Sequence, residues 1–288
     1  SVPEKTELYD GKGGFPIARY KDRIFIDDSP VHNLIIGTAR SGKGEIFVIP
    51  TIDIYSRARN QADRASMVIA DPKGELTGAS KEELERRGYQ VFVFDLLSFI
   101  GMSFNPLQLV IDAYVRGDKA EAQLLANTLS YIMFNDPTSR DKMWQNWSIA
   151  LTNALILALV IDCCAQADQC ETPEEKQDWY DKINMYSVAR MLIDLGDPNA
   201  DEDSNKMNRV DQFFYQRNMS DIARIQYAAV GMNPIKTKNG IFGNTLGILI
   251  RFTMDPIAKM TSKNSVNLEG IGFNTEYPTA VFLVMPDY

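Results

Sequence analysis

The chain has 288 residues, 45% of them hydrophobic, and a net charge of -8, so it is long enough for a substantial core and more than one domain. The sequence pI near 4.9 excludes a protein that coats nucleic acid by bulk positive charge, while leaving room for a local basic groove. Three cysteines, Cys163, Cys164 and Cys170, with no histidine nearby, argue for buried thiols rather than zinc or a disulfide scaffold.

From Ser1 to Lys21 the chain is polar and rich in glycine, which reads as an arm or loop, and Arg23 to Asp27 reads as a short strand ending in an Asp-Ser-Pro turn. His32, the only histidine, has no triad partners in sequence. The most informative stretch follows. Leu34-Ile35-Ile36 reads as an apolar strand that runs into Gly37-Thr38-Ala39-Arg40-Ser41-Gly42-Lys43-Gly44-Glu45, with Gly37, Gly42 and Lys43 in the spacing of a phosphate-binding loop.

The residue types suit that chemistry. Glycines let backbone N–H groups close around phosphate oxygens, and a lysine supplies a point charge for the β and γ phosphates of ATP. Gly44 breaks the pattern, because a Ser or Thr normally stands there to ligate magnesium (Mg2+). The metal ligands are therefore unassigned.

Glu45 to Arg57 has helical spacing that Pro50 would kink or divide. Ser66 to Ala70 is a strand candidate that ends in Asp71-Pro72-Lys73-Gly74-Glu75. Acidic groups at a strand tip can hold magnesium waters or orient an attacking water, which makes Asp71 and Glu75 catalytic candidates beside Lys43. The alternative carries equal weight: a turn whose carboxylates cap the helix expected from Thr77 to Arg87. Val91 to Phe94 is another strand, so this part reads as a mostly parallel sheet with helices on its faces.

From Leu109 to Lys238 the periodicity is helical. Lys119 to Phe134 places Leu125, Leu129, Ile132 and Met133 on one stripe, and Trp144 to Cys164 is apolar nearly all round in its second half, as the central helix of a bundle would be. Its longest wholly apolar run, Ala154 to Ile161, is far short of the ~20 residues of a membrane span. Thr172-Pro173-Glu174-Glu175 is a capping box. Further helices are expected at Met185 to Leu195, around Met207, Val210 and Phe214, and around Ile222, Ile225 and Ala229, with an acidic loop at Asp197 to Asp203. Residues 111–238 hold 19 acidic and 13 basic side chains, a net of -6, which suits docking a basic protein or simply a solvated surface. Asn239 to Phe252 reads as a helix returning to the sheet, and Thr279 to Met285 as a last strand.

This order resembles the coupling proteins of type IV secretion and conjugation systems, most closely the branch on conjugative elements of Gram-positive bacteria. The matching residues are His32 to Gly44, Asp71-Pro72-Lys73-Gly74-Glu75, Phe104-Asn105-Pro106-Leu107, Trp144-Gln145-Asn146 and Pro278 to Val284. The resemblance implies an α/β fold: a RecA-like P-loop nucleotide-binding domain, residues 1–110 and 239–288, with an inserted all-α domain, residues 111–238. It further implies a hexameric ATPase at the cytoplasmic face of the membrane, with ATP and Mg2+ as cofactors. Such a protein passes a relaxase and its single-stranded DNA to the type IV secretion channel, its all-α domain receiving relaxase and relaxosome accessory proteins.

Glycine after the loop lysine also occurs in that branch. The family's Walker B carboxylate pair has no counterpart up to Tyr288, since the apolar runs ending at Asp71, Asp95 and Asp287 lack a second acid. The 288-residue chain alone is therefore expected to be weakly active or inactive as an ATPase. A module that docks relaxosome proteins without hydrolysis is the alternative, and a small-molecule kinase lacks an acceptor motif or arginine-rich lid.

Overall fold

A computed structural model describes residues 2–3, 7–38, 40–139, 142–196, 207–267, 270–273 and 276–285. The chain divides into two units, Ser1–Met102 with Val266–Tyr288, and Ser103–Ser265. It is a mixed α/β protein with small sheets and, among the described residues, eleven α-helices.

The first unit opens with an antiparallel sheet of β1 (Val2–Pro3), β2 (Phe15–Tyr20) and β3 (Arg23–Asp27), in the order β1-β3-β2. Phe15 to Tyr20 is thus a strand rather than the expected arm, because β3 supplies its hydrogen-bonding partner across a tight turn. After the loop at 37–44 comes one π-helical turn, Gly44–Val48, that passes into α1 (Ile49–Tyr55). Pro50 explains the division: it has no N–H to donate, and the wider turn instead lets the Ile49 N–H reach the Gly44 carbonyl.

Strand β4 (Met67–Ala70), helix α2 (Glu75–Arg86), strand β5 (Gln90–Asp95) and the two-residue β6 (Ile100–Gly101) follow. The last strand, β7 (Thr279–Val284), inserts between β4 and β5 and runs parallel to both, giving the order β4-β7-β5-β6. As the central strand it is apolar on both faces, with five of its six residues buried. Phe282 and Ala280 join Ile52, Ile69, Leu84 and Tyr89 in the core of this unit.

Leu34 to Ile36 does not form the expected strand. No residue of 31–38 is in the sheet, and Leu34 and Ile36 are 86% and 87% exposed, with only Ile35 turned partly inward. The physical reason is visible on the other side of Ile35. A cavity of about 380 Å³ lined by Ile35, Phe47, Ile52 and all of β4 separates this segment from the sheet edge, so no ladder joins them.

Buried Arg87 fixes α1 against α2. Its guanidinium donates to the Asp53 carboxylate at 2.9 Å, the Asp53 carbonyl at 3.1 Å and the Ser56 hydroxyl, and pairs with Glu83. The Tyr89 hydroxyl donates to the Ala65 carbonyl at 2.9 Å, and burial lifts that phenol far above its ordinary range.

The second unit is helical: α3 (Gln108–Val115), α4 (Lys119–Phe134), α5 (Met143–Ala167), α6 (Pro173–Tyr180), α7 (Met185–Gly196), α8 (Arg209–Tyr215), α9 (Ile222–Gly231), α10 (Ile235–Leu249) and α11 (Asp255–Thr261). Helix α5 is the centre, buried on every face from Leu151 to Ala158 and contacting α3, α4, α6, α7, α9 and α10. By length and composition α5 would also suit a membrane span, but 67% of its most apolar window lies inside this unit. The Thr172–Glu175 capping box forms in both directions.

Of the expected α4 stripe, Leu125, Leu129 and Met133 pack against the helical core, while Ile132 is 70% exposed. The fully buried line beside them is Ala122, Ala126, Ser130 and Phe134; on α9 the buried residues are Ala223, Tyr227 and Val230. Small residues allow close approach to α5 and thereby select the contact face over the bulkier neighbours. The expected acidic loop at 197–203 lies outside the described residues. Helix α10 does not return to the sheet, because Ile241, Phe242 and Leu249 belong to the helical core.

Asn105, from the Phe104–Leu107 motif, ties the two ends of this unit together. Buried at 2% exposure, it accepts from the Leu107 N–H with its Oδ1 and donates from Nδ2 to the Ile183 carbonyl. Its own N–H donates to Asn264 Oδ1 at 2.7 Å.

Candidate phosphate-binding site

Two described residues of the loop at 37–44 take positive φ. Gly42 takes φ +79° and Arg40, without the freedom of glycine, takes φ +61°. The Ser41 N–H donates back to the Thr38 carbonyl at 3.3 Å. A Cβ on Gly37 would stand 2.7 Å from Ser41 Oγ and 3.3 Å from Lys43 Cδ, so a side chain there would displace both from their present places.

Lys43 closes the loop on itself. Its ammonium donates to the carbonyl oxygens of Gly37 at 2.7 Å and Thr38 at 2.8 Å, with Ser41 Oγ at 3.5 Å. Among the described residues it makes no ion pair, so its charge meets only dipoles. Gly44 and Glu45 begin the π-helical turn, both exposed, and the Ile46 N–H bonds the Gly42 carbonyl at 2.9 Å. A Cβ at Gly44 would meet nothing within 4 Å, so no steric reason excludes a hydroxyl-bearing residue there. Ala39 lies outside the described residues.

Asp71 follows β4 and is 2% exposed. Its Oδ2 accepts from the N–H and the hydroxyl of Thr77, both at 2.7 Å, and its Oδ1 accepts from the Leu76 N–H at 3.2 Å. Gly74, at φ +76°, turns the chain so that this carboxylate satisfies the first orphan donors of α2. A carboxylate cap on this helix was expected from the sequence; the added bond from the Thr77 hydroxyl was not, because a hydroxyl six residues after an acid is no standard capping spacing. Glu75 is the first residue of α2 and exposed, where a negative charge complements the helix dipole.

Asp95, at the end of β5, has a carboxyl held below its ordinary value: burial opposes ionisation, but the hydroxyl and N–H of Ser98 and the N–H of Leu97 outweigh it. Cys163 and Cys164 are buried free thiols, and burial pushes Cys164 up to about 12. Among the described residues no group of three or more His, Cys, Asp or Glu side chains is placed to hold a metal.

The class these features define is a mixed α/β protein with a lysine-bearing glycine loop and a separate helical unit. The family is settled by its match over residues 3–287 to the type IV secretory system conjugative DNA transfer family: the chain belongs to that family. No curated protein matched the sequence. Membership makes this a type IV conjugative DNA-transfer protein, whose role involves DNA and a membrane-associated secretion system.

Proposed function

We propose that the loop at 37–44 binds the phosphates of ATP, on a RecA-like domain that serves as the motor of a coupling protein and delivers relaxase-bound single-stranded DNA to the secretion channel. The observation that carries this reading is the Lys43 ammonium, bonded to the Gly37 and Thr38 carbonyls with no carboxylate among the described residues to neutralise it. A phosphate would offer that ammonium a charged acceptor in place of dipoles.

The residues fit ATP better than they fit its magnesium. Lys43 and the backbone N–H groups of the loop would hold phosphate oxygens, whereas Gly44 offers no side-chain oxygen, leaving the Ser41 hydroxyl, 3.5 Å from the Lys43 ammonium, as a candidate. When bound, Mg2+ would neutralise phosphate charge. Asp71 would act by holding α2 and the β4 tip in place, and Glu75, which is exposed, would assist through a metal-bound water.

Titrating the chain with a fluorescent ATP analogue and Mg2+ tests the reading. Lys43→Ala is expected to weaken binding by at least about tenfold, the scale of removing one charge-assisted hydrogen bond. Equal affinity in parent and variant would sink the proposal.

A second reading, docking of relaxosome proteins by the helical unit, is favoured by a cavity of about 770 Å³ between α7, α8 and α10. Leu192, Phe242 and Leu246 line it beside Asp194, Arg209 and Asn239. Phe242→Ala should reduce capture of a purified relaxase if this reading holds, and leave it unchanged if not.

A further inference from the structure

The β2–β3 hairpin has an outer face that nothing above uses. Its register pairs Tyr20 with Arg23 and Ala18 with Phe25, and partners across a ladder share a face, as do residues two apart along a strand. Ala18, Tyr20, Arg23 and Phe25 therefore stand on one side. The other side is defined by Ile24 and Ile26, which pack against Tyr9 and Ile54. On the outer side Tyr20 is 64% and Phe25 44% exposed, an unusual outlay of aromatic surface on so short a ribbon.

Charge is concentrated at the same place. Arg19, Lys21 and Arg23 against Asp22 make the hairpin tip cationic in a chain of net charge -8. Lys21 sits in the turn at φ +53°, its ammonium 5.3 Å from the centroid of the Tyr20 ring. Among the described residues neither Lys21 nor Arg23 makes an ion pair, in a unit where Arg57, Arg59, Arg86 and Arg87 all do.

We infer that this face binds single-stranded nucleic acid, with Tyr20 and Phe25 stacking bases and Lys21 and Arg23 meeting the phosphates. Two ring faces on a strand platform beside unpaired cations are what such a ligand requires: it alone among anionic polymers offers flat apolar faces alternating with phosphates. A duplex is a poorer fit, because its bases are already stacked on one another. Tyr20 and Phe25 are diagonal neighbours roughly 7–8 Å apart, so two bases of an extended strand can rest on one face. The site is independent of the phosphate loop, since no loop residue contributes to it.

Fluorescence anisotropy with a labelled oligothymidylate, in the absence of nucleotide, tests the inference on the full chain. Tyr20→Ala is expected to weaken binding about 5- to 100-fold, and Tyr20→Phe to restore most of it. The double variant Lys21→Glu, Arg23→Glu should weaken binding further and flatten the salt dependence by ~0.7 in log–log slope for each phosphate that is no longer neutralised. Lys43→Ala should leave oligonucleotide affinity unchanged, which separates failure here from failure of the nucleotide reading. The inference is overturned if the parent does not bind the oligonucleotide, or if the hairpin variants stay within about twofold of it. It is also overturned if anionic phosphatidylglycerol vesicles bind the hairpin and the oligonucleotide does not compete.

Discussion

Lys43 and Lys238 are the same ammonium in opposite circumstances. Lys238, in the helical unit, is 6% exposed and salt-bridged to Asp211, whose other oxygen accepts from the Tyr227 hydroxyl at 2.7 Å. Burial, and then that hydrogen bond, hold the Tyr227 phenol protonated well above its ordinary range, and the ring stacks on Phe214 at 4.2 Å. Every polar group of the trio has a partner of matching charge or polarity, so it is a structural device. Lys43 rests on carbonyl oxygens of its own loop, where an incoming anion can compete for it. A buried lysine with a carboxylate holds a fold together; a lysine held only by dipoles is available for chemistry.

The largest effect should come from breaking the buried trio. Asp211→Ala leaves the Lys238 charge uncompensated and removes the acceptor of Tyr227, and is expected to cost about 3–5 kcal/mol of stability. Lys43→Ala removes no buried pair and should move the chemical denaturation midpoint hardly at all. A similar loss of stability in both variants would erase the distinction between the two lysines.

Next in size is Asp71→Ala, which orphans the N–H groups of Leu76 and Thr77 at the start of α2. A cap of this kind contributes about 1–2 kcal/mol. Asp71→Asn, which keeps one acceptor oxygen for Thr77 but sets an NH2 donor against the Leu76 N–H, should recover part of the stability. If nucleotide affinity falls equally in both variants while stability recovers, the Asp71 charge acts on the ligand as well as on the helix.

Asp95 gives a smaller, pH-dependent contribution. Its carboxyl is lowered below 3.8 in the folded chain, so the unfolded state binds the proton first as pH falls. The stabilisation is fully present above 3.8 and is lost as pH drops through the folded value. Ser98→Ala, which removes the hydroxyl donor, should make the stability of the chain less sensitive to pH in that window, as thermal unfolding followed below about pH 5 would register.

How much of this was legible in the sequence depends on which force decided each element. Helices set by local chemistry could be read directly: the Thr172–Glu175 box starts α6, and Pro50 divides the helix after the loop. The strand at 279–284 was equally plain, because a central parallel strand is apolar on both faces. Where tertiary partners decide, the sequence misled. Leu34-Ile35-Ile36 has strand composition but no neighbouring edge, and Phe15 to Tyr20, which reads as an arm, has one in β3. On α4 the sequence found Leu125, Leu129 and Met133 but misplaced Ile132, because alanine and serine, weak signals by hydrophobicity, make up most of the fully buried line against α5. At the site, the glycine-lysine spacing marked the loop, but nothing local linked Asp71 to Thr77 or turned Lys43 back onto Gly37.

The mildest substitution is the most pointed test of the loop. Gly44 lies in a helical turn, where glycine is disfavoured relative to serine by a few tenths of a kcal/mol, and a Cβ there meets no atom within 4 Å. Gly44→Ser should therefore leave stability unchanged or slightly raised while placing a hydroxyl one residue after Lys43. If the loop holds a nucleotide whose Mg2+ lacks a side-chain ligand from position 44, the variant will bind ATP more tightly with Mg2+ than with EDTA by a larger ratio than the parent. The same ratio in both proteins would mean that the metal is held from elsewhere, with Ser41 as the next hydroxyl to remove. Either result separates the lysine's part in binding from the metal's, which the unneutralised state of Lys43 leaves as the open half of the comparison with Lys238.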